Sequence, residues 1–156
     1  MTIEPKLHPP IEVSFAADET AARGAILKIM QALNARAISP DESGRVELVM
    51  AEVINNVVEH AYAGKLQGQI TIRCTHRPGA LDVQITDQGR PFPDIQLPDG
   101  VCASVDTDFD DLPEGGFGWF LIFQLTEGVQ YTRDQDTNKL DIKFDLAQDA
   151  PPDQTA

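Results

Sequence analysis

Four apolar segments of this chain come as two pairs joined by short turns, and that arrangement limits the sheet they can build. Gln69 to Thr75 and Leu81 to Thr86 flank a turn at Arg77-Pro78-Gly79; Gln130 to Arg133 and Lys139 to Leu146 flank Asp136-Thr137-Asn138. Strands linked so briefly pair antiparallel, because a parallel neighbour needs a crossover of about a dozen residues or more. Ile11 to Phe15 alternates apolar and polar residues and reads as a first strand. Two helical patterns then precede the first hairpin. Asp18 caps a helix running to about Asn34, with Ala22, Ile26, Ile29, Met30 and Leu33 on its inner face. Ser39-Pro40-Asp41-Glu42 opens a second, with hydroxyl at the cap, proline at the first helical position and glutamate at the third. This helix runs to about Tyr62, where Gly64 stops it. A short apolar helix, Phe117 to Leu125, precedes the closing hairpin. The order β, α, α, β, β, loop, α, β, β predicts an α+β two-layer sandwich, with a mixed, mainly antiparallel sheet and the helices on one face. A doubly wound parallel sheet would need helices between most strands.

With 156 residues, the chain has the length of one domain, expected over residues 11–146; the proline-punctuated ends, 1–10 and 147–156, read as disordered tails. No apolar run approaches the roughly 18 residues of a membrane span, and the N-terminus lacks the basic and apolar regions of a signal peptide, so a cytoplasmic protein is expected. Cys74 falls in a strand and Cys102 in a loop. Two thiols in such different settings are expected to be free, and they are too few for a zinc site. The net charge of −13 repels phosphate backbones and argues against direct nucleic-acid binding. It suits a partner with a basic patch, although solubility alone accounts for it equally well.

The second helix carries an unusual polar insertion. Val46, Val49, Met50, Val53, Ile54, Val57, Val58 and Ala61 recur at helical spacing, yet Glu52, Asn55, Asn56, Glu59 and His60 interrupt them. Asparagine is a poor helix former because its side chain competes for nearby backbone groups, so two in succession at a helix centre need a reason. Glu52 and Asn56 stand four apart and share a face. A carboxylate and an amide oxygen at that spacing suit a hard cation and a reacting hydroxyl; a solvated helix face is the plain alternative. Further along, Asp87-Gln88-Gly89-Arg90 follows a strand, and Gly115-Gly116-Phe117-Gly118 precedes a helix. Asp-X-Gly after a strand is also an ordinary turn, and a glycine run is also a hinge. Between them, Asp87 to Glu114 has no sustained period, and a loop that long in a compact domain is functional or disordered.

Taken together, in this order and spacing, these three segments resemble the N, G1 and G2 boxes of the GHKL ATPases. The similarity is strongest to the bacterial anti-sigma-factor serine/threonine kinases, whose glutamate, asparagine four later and His-Ala-Tyr stretch match Glu52, Asn56 and His60-Ala61-Tyr62. The resemblance implies the Bergerat fold, ATP and Mg²⁺ as cofactors, and phosphorylation of an anti-sigma-factor antagonist by a protein that also sequesters a sigma factor or analogous partner. It implies Glu52 as general base towards the incoming hydroxyl and Asn56 as the metal anchor. Asp87 would read the adenine amine, Gly89 would let the backbone approach the base, and Gly115, Gly116 and Gly118 would receive the phosphates beneath a lid over residues 93–114. His60 flanks the same site, either in contact or in a structural hydrogen bond. Homodimers are common in the family, though no residue here establishes one. Two features depart from the pattern. No Lys or Arg occurs from Ile95 through Trp119, leaving Arg90 as the nearest cation for the γ-phosphate, and Trp119 stands where the family often has leucine. The first departure leaves open a nucleotide-dependent partner-binding switch with weak or no kinase activity.

Overall fold

A computed structural model describes residues 8–36, 38–61, 68–91 and 116–146. The elements run β1 (Ile11–Ala16), α1 (Glu19–Asn34), α2 (Pro40–Ala61), β2 (Gln69–Arg77), β3 (Ala80–Asp87), α3 (Gly116–Leu125), β4 (Gly128–Asp134) and β5 (Thr137–Asp145). Both long helices begin where their caps require. The Asp18 carboxylate accepts from the backbone of Ala21 at 2.7 Å, and the Ser39 hydroxyl accepts from that of Glu42 at 3.2 Å. Each satisfies a backbone donor that the first turn leaves without an intrahelical partner. Tyr62 and Gly64 lie outside the described residues.

The five strands form one sheet in the order β1-β2-β3-β5-β4. Every neighbouring pair is antiparallel, which corrects the expectation of a mixed sheet. The reason is topological. The long connection through α3 brings β4 back parallel to β3, but β5 turns at Gln135-Asp136 and inserts between them. The hairpin is also tighter than expected: Asn138, assigned to the turn, lies inside β5. The Gln135 φ of 55° makes this turn possible, and Gly79 takes φ 78° at the β2–β3 turn.

Alternation along the strands divides the sheet into two faces. Ile70, Ile72, Cys74, Leu81, Val83, Ile85, Leu140, Ile142 and Phe144 are buried together with Ile29 and Leu33 of α1 and with Val46, Val49, Met50, Val53, Ile54 and Val57 of α2. Ile122 brings α3 into the same core. The helices therefore cover one face, as expected. Burial raises the Cys74 thiol to about 12, so this free cysteine stays protonated and unreactive. The other face is a polar ladder, with Ser14 bonded to Thr71 at 2.9 Å and Gln84 to Asp141 at 3.2 Å. Residues 8–10, assigned to the N-terminal tail, lie against the domain: Arg36 Nη2 donates to the Pro9 carbonyl at 2.7 Å, and the His8 ring stacks on His76. Among the described residues, no helix is long and apolar enough to cross a membrane.

The inserted strand should dominate stability. Leu140 is 1% exposed and Leu48 is 44% exposed. Leu140→Ala is expected to lower the unfolding free energy by about 2–5 kcal/mol, through lost burial and a residual cavity. Leu48→Ala should change it by no more than about 0.5 kcal/mol. Urea denaturation followed by circular dichroism checks both, and equal midpoints would contradict this core.

Candidate functional site

The site is built from two layers, α2 on one side and the ends of β3 and β5 on the other. On α2, Asn56 falls within the buried arc, one turn beyond Val53 on the helix surface, and is 6% exposed. Glu52, one turn earlier, is half-buried at the margin of that arc, and His60, one turn later, is exposed. Asn55 and Glu59 lie on the solvent side, where the Asn55 amide donates to the Glu59 carboxylate at 3.5 Å. The two asparagines thus differ in kind: Asn55 is a surface residue, and Asn56 is a core residue with polar atoms. The Asn56 Nδ2 is buried without a hydrogen-bond partner. An orphaned buried donor costs about 1–3 kcal/mol, which a purely structural position would avoid with an apolar side chain.

Across from α2, Asp87 ends β3 at 3% exposure. Its Oδ1 accepts from the Gly89 backbone at 2.9 Å and from Asn138 Nδ2 at 2.8 Å. Two donors on one oxygen fix the carboxylate plane and leave Oδ2 as its remaining acceptor. Burial raises the pKa of this carboxyl, opposed by the bonds from Asn138 and Gly89 and by the Arg133 charge. The first bond closes an Asx turn and pulls the chain sharply off the strand, and Gly89 is itself buried there.

Asn138 is the residue that sequence reasoning missed. It is 1% exposed and saturated. Its Oδ1 accepts from the Tyr131 hydroxyl at 2.5 Å and from Arg133 Nη1 at 2.7 Å. Its Nδ2 also reaches the carbonyls of Gly89 at 3.2 Å and Arg90 at 2.9 Å. The alternation running back from Phe144 through Ile142 and Leu140 puts position 138 on the buried face, and that was the signal available.

Arg90 is exposed, and its Nη2 donates to the His60 carbonyl at 3.3 Å. This holds its guanidinium at the C-terminal end of α2, where carbonyls favour a cation. His60 is eight residues, about 12 Å of helical rise, from Glu52. Gly116 and Gly118 lie in the first turn of α3 rather than ahead of it, and α3 packs on α2. Gly115, the expected lid over residues 93–114 and Cys102 fall outside the described residues, as does the side chain of Trp119. An open depression of about 160 Å³ is lined by Gln69, Thr71, Thr86, Asp87, Gln88 and Thr137. Thr71, Thr86 and Thr137 alternate with core residues, so it opens on the far face of the sheet, away from α2.

Comparison with known proteins agrees with this architecture. The histidine kinase-like ATPase domain family matches residues 15–144. The serine-protein kinase RsbW of Listeria monocytogenes is 28% identical over 101 residues, 64% of this chain and 64% of that protein. That of Bacillus mycoides is 27% identical over 123 residues, 77% of this chain and 76% of that protein. The matched stretch therefore spans a little less than two thirds of the Listeria relative's length. Among solved structures, the RsbU and RsbW domains of a Mycobacterium tuberculosis protein superpose with a TM-score of 0.63 at 16% identity, covering 92% of this chain and 34% of that one, a likeness of fold. The chain belongs to the histidine kinase-like ATPase domain family, the GHKL group that takes in the anti-sigma-factor serine kinases.

Proposed function

We propose that this protein is an ATP-dependent serine/threonine protein kinase that phosphorylates an anti-sigma-factor antagonist and sequesters a sigma factor or analogous partner. The observation that carries this reading is the buried Asn56 side chain, its amide nitrogen without a partner, one helical turn from Glu52. A carboxylate beside an unsatisfied amide, on a helix facing a fixed aspartate, suits phosphoryl transfer from an adenine nucleotide. The serine-protein kinases among the similar proteins support the reaction class. Such a protein would act in the cytoplasm, alone or as a homodimer, on protein partners and not on nucleic acid.

Asn56 fits a magnesium ion. Its amide oxygen is a neutral hard donor, and Mg²⁺ takes one or two protein ligands with phosphates and water completing the shell. When bound, that ion neutralises phosphate charge. The remaining chemistry belongs to the chain. The Glu52 carboxylate accepts the proton of the incoming serine or threonine hydroxyl. The hydroxyl oxygen then bonds to the γ-phosphorus as the bond to the β–γ bridging oxygen breaks, and ADP departs. Asp87 Oδ2 accepts from the adenine amine, while Gly116 and Gly118 offer backbone donors in the first turn of α3.

Glu52→Ala should lower phosphorylation of the antagonist by about 10²-fold or more, with Mg-ATP affinity changed by less than about threefold. Asn56→Ala should abolish magnesium-dependent ATP binding. Calorimetry with Mg-ATP, Mg-ADP and Mg-GTP, together with phosphoserine and phosphothreonine detection, reads both. No phosphorylated product from wild-type protein, Mg-ATP and the cognate antagonist would remove the kinase assignment.

A second reading, a nucleotide-dependent partner switch with little phosphoryl transfer, is favoured by two observations. No Lys or Arg occurs from Ile95 through Trp119, and Arg90 is engaged at the His60 end of α2. Under this reading Glu52→Ala leaves partner control intact, while Asn56→Ala abolishes it together with ATP affinity.

Asp87 adds a pH dependence. Its carboxyl pKa is raised in the fold above the ordinary 3.8, so the native state holds its proton to higher pH than the unfolded chain. The stabilising contribution is complete below pH 3.8 and is lost as pH rises through the folded value. Relative to Asp87→Asn, wild-type protein should therefore lose stability with rising pH across that window. Urea midpoints of both proteins over a pH series measure the difference, and a constant gap would contradict it.

A further inference from the structure

We infer that Asn138, braced by Tyr131 and Arg133, is the positioning residue that sets the purine specificity of Asp87. This rests on the nucleotide-binding reading above and concerns a residue set back from the ligand. All polar atoms of the Asn138 amide are engaged within the protein: Nδ2 with Asp87, Gly89 and Arg90, and Oδ1 with Tyr131 and Arg133. It therefore acts through Asp87 rather than by contact.

The amide has one workable orientation. Reversed, its oxygen would face the Asp87 carboxylate and the carbonyls of Gly89 and Arg90, which are all acceptors. Its nitrogen would meanwhile face the Arg133 guanidinium, which can only donate. Arg133 Nη1 also donates to the Gly89 carbonyl at 3.1 Å, so the brace grips the start of the loop together with the carboxylate. Asn138 and Asp87 are directly opposed across the β3–β5 pair, so the contact rises from a strand and not from a mobile loop.

This matters for base choice because a carboxylate discriminates only if it cannot turn away. Adenine presents an amine donor at the position where guanine presents a carbonyl acceptor. A fixed Oδ2 accepts from the first and repels the second, leaving two acceptors unpaired. A carboxylate free to rotate would relieve that repulsion and lose the preference.

The test measures dissociation constants of the full chain for the magnesium complexes of ATP, GTP and purine riboside triphosphate, which lacks the amine. Asn138→Leu keeps approximate side-chain volume and removes the hydrogen bonds. It should lower the ATP-over-GTP preference by about tenfold or more, while affinity for the amine-free nucleotide changes by less than about threefold. Tyr131→Phe deletes one bond to Asn138 Oδ1 and should lower the preference in the same direction by about threefold, which keeps the test available if Asn138→Leu does not fold. An unchanged ATP-over-GTP ratio, or equal weakening of all three nucleotides, overturns the inference while leaving the nucleotide site standing. A wild-type protein that binds no adenine nucleotide overturns both.

Discussion

The register between β3 and β5 is the constraint on which the rest of the site depends. Three apolar pairs, Leu81 with Phe144, Val83 with Ile142 and Ile85 with Leu140, face the helices, and the next pair in the same alternation is Asp87 with Asn138. A slip of one residue would carry every β5 side chain to the other face. Asn138 would turn outward, and Asp87 would keep a buried carboxylate with the Gly89 amide as its only donor. The hydrophobic core and the polar pair are therefore specified together. Burial of Leu140, Ile142 and Phe144, each contributing about 1.5–3 kcal/mol, holds in register a contact that could not hold itself.

The two polar groups assigned to the proposed nucleotide site are left short of partners, and each is supported by groups that are not. Asp87 has one oxygen occupied and one available; Asn56 has a buried amide nitrogen with none. Incomplete satisfaction of buried groups destabilises an unliganded fold, and it concentrates where a ligand is to complete the hydrogen bonding. The surrounding residues offset this cost. Val53 and Val57 are buried on the same helix as Asn56, while Tyr131, Arg133 and Asn138 form a closed network behind Asp87. Rigidity beneath the site and unsatisfied capacity within it are complementary parts of one arrangement.

Much of this was legible in the sequence, and what was missed has identifiable causes. Asp18 and Ser39 marked the helix starts because capping is local chemistry, and both hairpins followed from turn residues and alternation. Asn56 could be separated from Asn55 in principle, since one helical step of about 100° moves a side chain from core to solvent. Asp136-Thr137-Asn138 reads as a turn because its composition is turn-forming, and that local signal outweighs the period-two pattern leading back from Phe144. The insertion of β5 between β3 and β4 has no local signal at all. Without it, Tyr131 and Arg133 cannot be brought to Asp87, and the sheet cannot be recognised as wholly antiparallel. Pairing of distant strands is set by how the helices cover the sheet, a property of the assembled core.

The electrostatics of the site follow from where its cations are committed. The chain carries a net charge of −13, and a nucleotide triphosphate adds further negative charge. Two arginines stand near the Asp87 loop, but both are occupied: Arg90 at the His60 carbonyl and Arg133 between Gly89 and Asn138. Their hydrogen bonds hold the loop after β3 rather than reaching out of it. Within the proposed function, phosphate charge must then be met by the metal at Asn56 and by backbone amides near the start of α3. Such donors orient an anion without the reach of a flexible lysine. Recognition of the base and neutralisation of the phosphates thus fall to different groups. On that proposal, binding and phosphoryl transfer are separable, because the residues assigned to the adenine end supply no cation to the γ-phosphate.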